Sequence, residues 1–169
     1  MEIRQMNNPS ATADNVRSYS KVMGAFGLLV LLPCLLSLIN INFAQDWKIH
    51  FFPAAIILAS VFYGAAGGLV AGLSGSLYSA LFLGNPYLLV GNALLGLLTG
   101  VFYKRTGKII PSVLLAFACQ LPWLILSDYY LVHLPAVFIA KLVVVLCLTD
   151  ILWAALIHWS IKPLRKLLC

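Results

Sequence analysis

Asn92, Gln120, Lys141, Thr149, Asp150 and His158 stand inside long apolar runs of the sequence. Burying a polar or ionisable group there is costly, so these positions carry information about function. They do not form a catalytic set. The chain has no G-x-S-x-G, no phosphate-binding glycine loop and no H-E-x-x-H. Its 5 acidic residues are scattered. We therefore expect no enzyme and no ATP hydrolysis by this chain itself. Cys34, Cys119 and Cys147 lie in apolar runs and Cys169 is the last residue; no Cys/His spacing suggests a metal, and no cofactor is expected.

What remains is binding chemistry. Asn92, Gln120, Trp123 and Lys141 could converge in one half of a helical bundle, under a lid of two polar segments that contribute Trp47, Asp128 and Tyr130. Aromatic walls with a few fixed polar groups suit a small-molecule pocket. Lys141 there favours an anionic or zwitterionic compound. Each residue also has a plainer reading. Lys141 can snorkel to the interface. Asn92 and Gln120 can join helices by hydrogen bonds. Trp47, Trp123, Tyr129 and Tyr130 can form an interfacial belt. Asp150 is nine positions from Lys141, so a straight helix puts the two on opposite faces, about 13 Å apart along the axis.

The elements that must position these residues are membrane helices. Of 169 residues, 62% are hydrophobic and only 9% charged, against roughly a quarter charged in an ordinary soluble domain. The net charge of +6 is gathered between apolar runs, as membrane proteins gather it, so nucleic acid is not an expected partner. We expect an all-α integral membrane protein of the cell (inner) membrane: a six-helix transmembrane bundle at 22–161, a polar N-terminal tail at 1–21 and a basic C-terminal tail at 162–169.

The first span is Val22 to Ile39, kinked at Pro33. The run Phe51 to Leu83 would be about 50 Å long as one helix, well beyond a hydrocarbon core of about 30 Å. Gly64, Gly67 and Gly68 offer a break, giving a second span Phe51 to Tyr63 and a third Gly67 to Phe82. Both are short, so either could be partly re-entrant. The turn Gly84-Asn85-Pro86 precedes a fourth span, Tyr87 to Tyr103. A fifth runs from Ile109 to Leu126 and a sixth from Pro135 to Ile161. With both termini cytoplasmic, Arg4, Arg17, Lys21, Lys104, Arg105, Lys108, Lys162, Arg165 and Lys166 all lie inside, and only Lys48 lies outside.

Gly64, Gly68, Gly72, Ser76 and Ala80 recur every four positions, so they share one helix face and let a neighbouring backbone approach closely. This ladder either packs the bundle tightly or forms a surface that slides during transport.

The stretch YGAAGGLVAGLSGSLYSALFLGNPYLLVGNALLGLLTGVFYKR, Tyr63 to Arg105, with its Asn92-Ala93-Leu94-Leu95-Gly96 piece and terminal Lys104-Arg105, resembles the substrate-binding (S) components of energy-coupling factor (ECF) transporters. The resemblance implies a subunit that captures a vitamin or related micronutrient in the outer half of its bundle. It also implies partners, a transmembrane coupling protein and two ATPase subunits. In that family the first span often carries an Ala-x-x-x-Ala face for the coupling protein; here only Ser20 and Gly24 have that spacing. The rod-shape scaffold MreD is similar in length, span number and glycine pattern, but commonly has an acidic residue near the end of its third span, and Ser74 to Leu83 has none.

Overall fold

The structure, a computed structural model, describes residues 22–44 and 47–168, and side chains within 22–39, 49–82 and 84–161. The tail 1–21, Ser20 and the side chain of Trp47 lie outside the described residues. In chain order the elements are α1 (Val22–Ser37), β1 (Asn40–Ala44), β2 (Trp47–His50), α2 (Phe52–Leu83), α3 (Tyr87–Thr106), α4 (Ile109–Leu126) and α5 (Ala136–Leu168). Four of the helices, α2 to α5, are long and apolar enough to cross a bilayer. The chain is a multi-pass, helical membrane protein. Its basic C-terminal segment continues α5 as far as Leu168.

In α1, Pro33 has no N–H to offer the carbonyl one turn back. The chain takes up a π-helical turn at Gly27–Leu31, and the carbonyl left over, that of Leu29, accepts a hydrogen bond from Ser74 Oγ at 2.7 Å. The π turn ahead of Pro33 is thus also a docking point on α2.

The break in α2 falls at Gly64, whose φ of 68° and ψ of −157° are open to glycine alone. Gly67 and Gly68 remain helical. The two arms of α2 fold back against each other: a Cβ on Gly75 would lie 3.4 Å from Phe52 Cβ, whereas a straight helix would hold those residues about 35 Å apart. Ile56 and Ala59 of the first arm pack with Ala71 of the second, and Leu29 and Leu36 of α1 close over them.

The first arm, residues 52–63, is the hub of the bundle. Phe52 to Ile57, Ala59 and Ser60 are all buried. Besides α1 and its own second arm it touches α3, through Ser60 Oγ donating to Gly96 O at 2.8 Å, and α4 and α5, through Ile57 against Val113 and Ala154. A helix covered on every side must be apolar all round, and this arm carries no charge.

The polar stretch between α1 and α2 forms a two-stranded antiparallel hairpin with Asn40 opposite His50 and Ile41 opposite Ile49. It is the one departure from helix among the described elements. Its exit is tied down by Trp153 of α5, whose Nε1 donates to His50 O at 2.8 Å and whose ring lies 5.0 Å from that of Phe51.

Candidate functional site

The tightest contact in the molecule joins the second arm of α2 to α3. A Cβ on Gly68 would collide with the Gly96 carbonyl, and one on Gly96 with the Gly68 carbonyl. Gly72 meets the carbonyl of Asn92 in the same way, and Gly100 meets Gly64 and Ala65. The antiparallel register is constant, so the ladder Gly64, Gly68, Gly72 lies backbone to backbone on α3. Ser76, fully buried, donates to its own helix at Gly72 O. These residues form a packing face. Gly24 of α1, by contrast, is exposed with nothing near its Cβ position. The partner glycines Gly96 and Gly100 were not foreseen, although their four-residue spacing is legible in the sequence.

Beside this frame runs the seam between α3 and α4. Gln120 is 5% exposed. It packs over Gly91, where a Cβ would lie 3.2 Å from Gln120 Nε2 and 3.6 Å from Trp123 Cδ1. Trp123 Nε1 donates to Tyr87 O at 3.2 Å. Further along, α4 widens into a π turn, Ser127–Leu131. Asp128, in that turn, is 2% exposed, and its Oδ1 accepts from Asn85 Nδ2 at 3.4 Å. Asn85 Oδ1 in turn accepts from the Tyr87 backbone N–H at 3.1 Å. Gln120, Trp123 and Asp128 are therefore brought to one seam, and Asn85, read from the sequence only as part of a turn, joins them.

Two oxygens of this seam, Gln120 Oε1 and Asp128 Oδ2, are buried with no hydrogen-bond partner among the described residues; the third such atom is Thr99 Oγ1 on α3. Native structures leave few buried polar atoms unpaired.

The other candidates lie elsewhere. Asn92 is half-buried, its carbonyl against Gly72. Tyr130 is 63% exposed, its ring edge-on to Tyr129 at 4.9 Å. Lys141 is exposed, in line with Val137, Val144 and Leu148 on one stripe of α5. Asp150 is 3% exposed and lies on the inward face with Cys147, Ala154 and Ile157. The opposite-face relation of Lys141 and Asp150 holds, and it is Asp150 that points into the bundle. Thr149 bonds its own helix at Val145 O, and His158 is exposed.

An apolar groove of about 400 Å³ opens between the end of α4 with its π turn and the start of α5, lined by Ile125, Tyr129, Ala136, Ile139, Ala140 and Val143. No group of His, Cys, Asp or Glu among the described residues could hold a metal ion. No protein family, curated protein or solved structure matches this chain.

Proposed function

We propose that the chain is a substrate-binding subunit of the ECF-transporter kind, which captures a vitamin or related micronutrient from outside for uptake driven by a coupling protein and two ATPase subunits. The observation that carries the reading is the α3–α4 seam: Gln120 and Asp128 bury unpaired oxygens, whereas the buried serines and Thr149 bond backbone carbonyls. A protein whose only task is to hold its own shape gains nothing from such atoms, because each costs about 1–3 kcal/mol when left unmade. The resemblance of Tyr63 to Arg105 to S components adds the partners and the energy source.

The reading includes six crossings, both termini on the cytoplasmic side of the cell (inner) membrane, and a binding seam in the outer half. The fold-back at Gly64 supports counting the two arms of α2 separately. The first arm, 12 residues and so about 18 Å long, is too short to cross alone, and the strand hairpin completes its outer side. With this count Lys104, Arg105 and Lys108, all exposed, fall inside with the basic C-terminal segment.

The test is ligand-dependent stability. The purified chain in detergent is melted against a panel of vitamins. A compound that binds only the folded state adds about 2.7 kcal/mol of stability at a hundred times its Kd. Saturable stabilisation by one compound is the expected result. A folded chain with a flat response to the whole panel returns the protein to the scaffold reading.

A further inference from the structure

We infer that the compound held by the α3–α4 seam is an organic cation with N–H donors, bound through Asp128 and Gln120; this rests on the substrate-binding reading above. The inference starts from which buried polar groups are satisfied. Ser60, Ser76, Ser112, Ser127 and Thr149 all donate to backbone carbonyls. Three fully covered atoms have no partner among the described residues, Gln120 Oε1, Asp128 Oδ2 and Thr99 Oγ1; the other buried carboxylate, Asp150, lies on α5, away from the seam. A hydroxyl donates or accepts, but an amide or carboxylate oxygen only accepts. What the seam lacks at both of its own positions is a donor.

Placement makes the two oxygens one site. Gln120 and Asp128 both lie on α4 and its π-turn extension, towards α3, with Trp123 between them and fixed on Tyr87 O. Eight helical residues separate them by about 12 Å, a length that one vitamin-sized molecule spans.

Charge selects the class. The side-chain partner of Asp128 is the neutral Asn85, at 3.4 Å, beyond the usual range for such a bond. An ammonium exchanging for that amide would make a shorter, charge-assisted bond, whereas a carboxylate ligand has no donor to offer either oxygen. This reverses the preference for anions that Lys141 suggests in the sequence, since Lys141 stands on the exposed stripe of α5.

Both oxygens are covered by surrounding side chains, so a ligand reaches them only if the outer mouth of the seam parts. Gly84 at φ 64°, just before Asn85, and the π turn Ser127–Leu131 that carries Asp128 give this end an irregular backbone, as does His133 at φ 59° beyond it. Irregular helix of this kind is common at functional sites.

The test uses the purified full-length chain with pyridoxamine as the ammonium probe, thiamine as a cation whose charged nitrogen bears no N–H, and biotin and pantothenate as anionic probes, read by thermal shift and calorimetry. The expected result is binding of a cationic probe, weakened about tenfold to a hundredfold by Asp128→Asn. Gln120→Leu should weaken it about tenfold while raising the melting temperature of the ligand-free chain, because an unpaired acceptor is removed. Thr99→Val removes the third unpaired atom, eight residues along α3 from Gly91 and so about 12 Å from the Gln120 contact on the side away from Asp128; it should raise the melting temperature without changing affinity. An anionic probe that binds equally well to the parent chain and to Asp128→Asn would overturn the inference and leave the substrate-binding reading standing. If Gln120→Leu and Thr99→Val both bind a cation as the parent does, the unpaired oxygens are not the site and the inference also fails. No binding by any probe to the folded chain counts against the substrate-binding reading itself.

Discussion

Gly68 and Gly96 meet backbone to backbone, the carbonyl of each filling the space that a Cβ on the other would need. Ser60 Oγ then donates to the same Gly96 carbonyl at 2.8 Å, so both arms of α2 and helix α3 meet at one point. In lipid no hydrophobic force drives helix against helix, and close packing of this kind must supply the association.

Gly68→Leu or Gly96→Leu should therefore separate α2 from α3. Overpacking in a core typically costs about 1–3 kcal/mol, and more where backbone must move. The expected outcome is a lowered melting temperature or loss of folded, monodisperse protein in detergent. Gly24→Leu, at an exposed position with open space around it, should melt as the parent does. Equal stability of all three variants would show that the helices do not touch along this ladder.

Ser60→Ala removes a buried hydroxyl that bonds both Ile56 O and Gly96 O. Interhelical hydrogen bonds in membrane bundles are worth about 0.6 kcal/mol on average and about 1.7 kcal/mol at most. A loss in that range is expected from equilibrium unfolding in mixed micelles, with no change in helical content. Gly96 keeps its close contact in this variant, so a collapse of the fold would mean that the hydroxyl matters more than the glycines.

The hairpin exit depends on Trp153. Trp153→Phe keeps a ring against Phe51 but removes the donor to His50 O. Hydrogen exchange at Ile49 to Phe52 should rise in the variant, while α3 and α4 remain protected. Unchanged exchange would show that strand pairing alone holds the exit.

Topology is tested by labelling single cysteines in a Cys-free background. Positions 47 and 130 should react with an impermeant reagent from outside, and position 106 should not. Outside labelling at 106, the last residue of α3, beside Lys104, Arg105 and Lys108, would refute the six-crossing parity.

Transport is tested by reconstitution. Because the chain has no nucleotide-binding motif, liposomes containing it alone should show no ATP-dependent uptake of a compound that it binds. Uptake that appears without added partner proteins would remove the ECF reading.

The sequence by itself determined that this is a helical membrane protein, where its apolar runs begin and end, and that Phe51 to Leu83 cannot be one straight span. Length and composition carry those conclusions, since a bilayer fixes how much apolar helix it accepts. The glycine spacing also marked one face of the second arm of α2, and the nine-residue interval put Lys141 and Asp150 on opposite sides of α5. Only the tertiary structure decided which of those sides faces inward, that Gly64 rather than Gly67 or Gly68 makes the break, and that the ladder lies on Gly96 and Gly100. It alone paired Asn85 with Asp128, left Gln120 Oε1 and Asp128 Oδ2 without partners, and turned the Asn40–His50 stretch into a hairpin. The physical reason is that helices apolar all round carry no mark of the side they bury. Periodicity relates residues within one helix, but the rotation of each helix against its neighbours is set by packing, and packing is a property of pairs of segments far apart in the chain.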